Sequence, residues 1–138
     1  MCLLAGTMST VVLGKPARYR ARARHAATAP VAFKREVLPI LKRRCAVGTG
    51  CHAGNTAAAG LRLDGPNPYA ALVDARSSLR PTQVRVTPGR PGESVLWLKV
   101  TGKQKQAGIF GDQMPPGKPL PPSELGVIRR WIRQGAPK

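Results

Sequence analysis

The chain has 138 residues, the size of one domain with a tail, and its 23 Lys and Arg against 6 Asp and Glu give a net charge of +17. The six carboxylates are scattered and no catalytic dyad or triad is spaced along the chain, so the composition points away from a substrate-converting enzyme and towards a surface that attracts anions. Aromatic residues make up only 4%, so the core is poor in large side chains and would gain from a cofactor that fills it.

Residues 1–30 read as an N-terminal segment apart from the domain. The opening MCLLAGTMSTVVLG has the length of a signal-peptide core, but it has no basic residue ahead of it and is too short to span a bilayer. Thr7 follows LLAG where a lipoprotein signal needs cysteine, so the stretch is expected to be an atypical signal or anchor, or a loose tail. Residues 15–30, KPARYRARARHAATAP, carry five positive charges and no negative one. Such a run is expected to be a solvated linker or a juxtamembrane segment able to meet an anionic membrane surface. Neither zinc-finger spacing nor interleaved aromatics accompany it, so nucleic acid is not the expected partner.

The domain is expected to occupy 31–138. Phe33, Val37, Leu38, Ile40 and Leu41 give one apolar face to a helical segment ending near Arg44, with Pro39 as its kink or its true start. That segment delivers Cys45 to the stretch Cys45–His52, CAVGTGCH. Two cysteines separated by two residues and followed at once by histidine attach haem covalently. Here Cys51-His52 is intact, but five residues lie between the cysteines, so a loop must carry the insert AVGTG, with Gly48 and Gly50 able to take positive φ. The residues allow haem held through Cys51 with or without Cys45, a Cys45–Cys51 disulfide with His52 on the surface, or zinc. A zinc site needs four ligands, and only Cys2 and His25 remain to complete one.

Beyond His52 a small-residue loop leads to Leu61 and Leu63, which alternate with Arg62 and Asp64 in a short extended piece, and then to a short helix expected at Tyr69–Asp74. Tyr69 reads first as core and second as a contact to a haem propionate. Turn residues Pro88 to Gly92 precede a helix expected over Glu93–Val100, burying Val95, Leu96 and Val100, with Trp97 as core or pocket wall. The loop at 103–113 runs into Met114, which Pro115 and Pro116 would stiffen. Met114 reads either as a gap filler or as a soft ligand, and a His52/Met114 pair would be the axial set of an electron-transfer haem. The last helix is expected from Pro122 or Ser123 to a cap at Gly135, with Leu125, Ile128, Trp131 and Ile132 on one face and Arg129, Arg130 and Arg133 on the other. The sum is a mostly α domain, its few helices joined by Pro/Gly-rich loops rather than by a sheet.

In order along the chain, VLPILKRRC at 37–45, CH at 51–52, GLRLD at 60–64, TPGRPGESVLWLKV at 87–100, MPP at 114–116 and ELGVIRRWIRQGA at 124–136 resemble the small class I cytochrome c domains of the planctomycete type. The resemblance implies a class I cytochrome c-like fold over 31–138 with one haem c attached through Cys51 and Cys45. It further implies His52 as proximal ligand and Met114 as distal ligand to the iron. The function it implies is electron transfer, without substrate conversion. Maturation of haem c places such a protein outside the cytoplasm, in the periplasm or at a membrane. The arginine face would then dock an acidic redox protein. Two other functions share these residues: a haem sensor or peroxidase with an open distal site, and a haem-free, disulfide-stapled extracytoplasmic binding module.

Overall fold

Pro39 sets how the first helix begins. It has no amide proton and its ring crowds the preceding turn, so regular α-helical bonding cannot run through it. In the computed structural model, which describes residues 29–138, the chain answers with a π-helical turn at Phe33–Val37, closed by the Leu38 N–H on the Phe33 carbonyl. Pro39 then lies in the first turn of α1, Leu38–Cys45, where a missing N–H removes no helical bond. Ile40, Leu41 and Cys45 face inward and Lys42, Arg43 and Arg44 outward. The apolar stretch at 1–14, Cys2, His25 and all but the last two positions of the basic segment lie outside the described residues.

The C-terminal α-helix, Pro122–Arg133, closes the main core. Proline opens it and Gly135, at φ 91°, follows its end in the left-handed region that glycine adopts without strain. Ile128, Trp131 and Ile132 are fully buried, Leu125 packs against the same core from a half-buried position, and the three arginines are exposed. Phe33 lies 5.3 Å from Trp131 and 5.3 Å from Tyr69, edge-on to the latter. The Tyr69 hydroxyl donates to the Ala136 carbonyl at 2.8 Å and the Trp131 indole N–H to the Pro137 carbonyl at 2.7 Å. Tyr69 is therefore part of the core, its hydroxyl used to tie down the C-terminus.

The middle of the chain departs from the mostly α expectation. Arg76–Ser77 (β1) and Arg80–Val84 (β2) form a two-stranded antiparallel sheet, with Arg76 opposite Val84, Ser77 opposite Arg80 and an irregularity between. The helix expected at Tyr69–Asp74 is only a hydrogen-bonded turn. Leu72 and Val73 both donate to the Tyr69 carbonyl, Asp74 takes φ 55°, and its N–H leaves for the Val86 carbonyl. The expected helix near Glu93–Val100 divides into a 3₁₀ turn at Pro91–Glu93 and a six-residue helix, Val95–Val100 (α2), which makes the C-terminal helix α3. Among the described residues the α-helices are thus short, of 8, 6 and 12 residues, and they share the fold with a sheet and long irregular connections. This is a small mixed fold, and it corrects the mostly α, class I cytochrome c-like assignment. The cause is local: a two-residue strand is too short to show alternation, and Asp74 breaks the helical pattern by pairing its backbone with Val86.

Two apolar clusters result. The larger joins α1, α3, Phe33, Leu63, Leu72, Val86 and Val100, and the smaller joins Val95, Leu98 and Ile109. No helix among the described residues is long and apolar enough to cross a membrane.

Candidate cofactor site

Between the two clusters lies a cleft of about 230 Å³, walled by Leu41, Leu63, Leu72 and Val100 of the larger cluster and by Val95 and Leu79 of the smaller. Its lining is mainly aliphatic. Cys45, His52 and Met114 all reach it. A second recess of about 570 Å³ shares Cys45, His52, Ala58 and Met114 with the cleft and adds Cys51, Pro115 and Pro116. All four residues singled out in the sequence, Cys45, Cys51, His52 and Met114, therefore border one recess, although 69 positions of chain separate Cys45 from Met114.

The wide cysteine spacing is absorbed by a closed loop. Cys45 ends α1, the chain turns with Cys51 N–H donating to the Gly48 carbonyl, and His52 N–H returns to the Cys45 carbonyl at 2.9 Å. Of the two glycines in the insert, Gly50 takes positive φ, at 83°. The doubling back brings His52 beside the end of α1 in spite of the five-residue insert. Both cysteines are free thiols here, so the loop is closed by backbone hydrogen bonds and not by a disulfide.

His52 is held from every side. Its carbonyl accepts from Leu63 N–H at 2.8 Å, and its ring Nδ1 lies 3.2 Å from the carbonyl oxygens of both Ala58 and Leu61. Carbonyls only accept, so Nδ1 carries the proton and Nε2 of the neutral ring keeps its lone pair, the arrangement that orients ligating histidines. Burial is the main cause pushing the imidazole below its ordinary pKa; the two carbonyl bonds oppose it, and the charges of Arg85 and Lys99 add to it. Near neutral pH the ring is uncharged and able to ligate.

Cys45 is pushed up to about 11, first by burial, then by the nearby Cys51 and Glu124, so its thiol is protonated at neutral pH. Met114 is fixed through its backbone, its N–H donating to the Lys99 carbonyl at 3.0 Å, which ties the Pro-rich loop to α2. Trp97 packs against the larger cluster and does not line the cleft.

Sequence reasoning passed over two cleft residues, Arg85 and Lys99. Lys99 had a readable signal: it stands three residues after Leu96 and beside Val100, a lysine on the apolar stripe of a helix. Arg85 had none, because its place depends on Ala71 and Ala59 carbonyls brought from elsewhere in the chain. No group of three or more His, Cys, Asp or Glu side chains among the described residues is placed to hold a metal ion by itself. One soft imidazole and one thioether beside an apolar cleft fit instead an iron already carried by an organic macrocycle. No family model, curated protein or solved structure matches the chain.

Proposed function

We propose that the chain is an electron-transfer protein that binds one haem c, attached through Cys51 and through Cys45, with His52 and Met114 as axial ligands. The observation that carries the reading is the shared border of Cys45, His52 and Met114 on an apolar cleft, with the His52 tautomer set so that Nε2 is free. The group would supply a one-electron Fe(III)/Fe(II) couple. The chain supplies its surroundings: α1 and the closed loop present the thiols and the imidazole, the loop ending at Met114 presents the thioether, and the aliphatic walls exclude water. Burial and a thioether ligand both favour the reduced state. The work is electron transfer rather than substrate conversion, in an extracytoplasmic compartment where haem c matures. An acidic redox protein is the natural partner, since Arg43, Arg44 and Lys118 rim the recess that holds all four site residues.

The test is an absorption spectrum, oxidised and reduced, of protein exported from a host with haem c maturation, followed by a denaturing gel stained for haem. Sharp reduced bands and haem retained on the gel are expected. Met114→Ala should then convert a low-spin spectrum to a high-spin one that changes on adding carbon monoxide. A colourless product, with a control cytochrome matured in the same cells, would overturn the reading.

A further inference from the structure

The lining of the cleft is mainly aliphatic, and besides Cys45, His52, Ser77, Phe110 and Met114 it includes two cations, Arg85 and Lys99. Lys99 is only 5% exposed, and two of its three ammonium protons are used, by the Phe110 carbonyl at 2.5 Å and the Asp112 carbonyl at 3.0 Å. Arg85 is half-buried and spends two of its five N–H groups on the Ala71 and Ala59 carbonyls, at 2.9 and 3.0 Å. The ion pairs among the described residues join Arg43 and Arg44 to Glu124, Arg62 to Asp64 and Arg90 to Glu93, so neither cation of the cleft meets a carboxylate. Asp112 acts on Lys99 only as a charge at longer range. Both cations line the same cleft as His52, and their charges disfavour its protonation.

Buried charge without a counter-ion is costly, and long cationic side chains ordinarily turn outward to water. Here the fold holds them in with neutral carbonyls, leaving N–H groups over. We propose that Arg85 and Lys99 form a carboxylate-binding subsite in the wall of the cleft, where an ionised propionate of the porphyrin is held. The inference rests on the haem reading and adds to it the polar end of the ligand and its orientation. Arg85 offers the planar fork that suits a carboxylate, and Lys99 a second charge from α2.

The test uses the full chain produced without haem maturation and two metal-free probes, protoporphyrin IX and its dimethyl ester, with binding followed by quenching of Trp97 and Trp131 fluorescence. Metal-free probes remove iron ligation from the comparison. The free acid should bind roughly tenfold or more tightly than the ester, the size expected of a charge-assisted hydrogen bond. Arg85→Gln and Lys99→Met should each shrink that preference, while Arg85→Lys should keep part of it. Equal affinity for acid and ester in the unaltered chain would overturn the subsite and leave the porphyrin reading standing. Binding of neither probe would also overturn the subsite, while the haem reading stands or falls on the spectrum and the haem-stained gel. Because the acid and ester are compared first in the unaltered chain, the result does not depend on any variant folding.

Discussion

Cys45 and Cys51 are chemically unequal although each is one arm of the same motif. Cys45 is 8% exposed at the end of α1, with its thiol pushed up to about 11 by burial and its neighbours, whereas Cys51 is half-buried on the loop. The thiolate is the reactive form, so haem-free protein at pH 8 should be alkylated by iodoacetamide roughly tenfold or more faster at Cys51 than at Cys45. Peptide mass spectrometry over a time course reads this directly, and equal rates would mean that α1 does not hold Cys45 inside. Asp64 marks the other end of the site loop, accepting from Gly54 N–H at 3.0 and 3.1 Å and from Arg62. Those bonds, Gly54 first, hold its carboxyl below the usual aspartate value. A depressed carboxylate stabilises the loop above the unfolded pKa and loses that contribution as pH falls through it towards the folded value. Protection of the Gly54 amide from hydrogen exchange should therefore fall on acidification from the ordinary aspartate value down through the depressed folded one, and Asp64→Asn should remove that acid step.

At the scale of elements, α3 and the turn before α1 carry the two largest fully buried side chains of the core, Trp131 and Phe33. Trp131 is fully buried, packs tilted against Phe33 and uses its indole N–H, so Trp131→Ala should cost about 3 to 5 kcal/mol in urea unfolding. Arg129→Ala, on the exposed face of the same helix, should stay within about 0.5 kcal/mol. Arg44 reaches across to Glu124 through two N–H groups at 2.9 and 3.2 Å, so α3 also steadies the end of α1 that carries Cys45. These helices were legible because Ile128, Trp131 and Ile132, like Val37, Ile40 and Leu41, repeat at helical spacing. The β1–β2 hairpin was not, since Arg76 and Ser77 alone carry no period and Pro81 argues against a strand.

For the whole molecule, the decisive feature is that two apolar clusters are kept apart by a cleft instead of merging. Filling the gap would bury the facing walls of both clusters, so haem-loaded protein should unfold at a higher urea concentration than haem-free protein, by circular dichroism at matched pH and salt. Equal midpoints would mean that the cleft walls gain nothing from the ligand. The chain alone determined the helical approach to Cys45, the buried face of α3 and four residues of common chemistry, because these rest on periodicity and on side-chain identity within short stretches. That Cys45, His52 and Met114 border one cleft, that the His52 proton sits on Nδ1, and that Arg85 and Lys99 turn inward were decided only by the tertiary structure. Each depends on backbone carbonyls or apolar walls supplied from distant parts of the chain, and no local pattern specifies those.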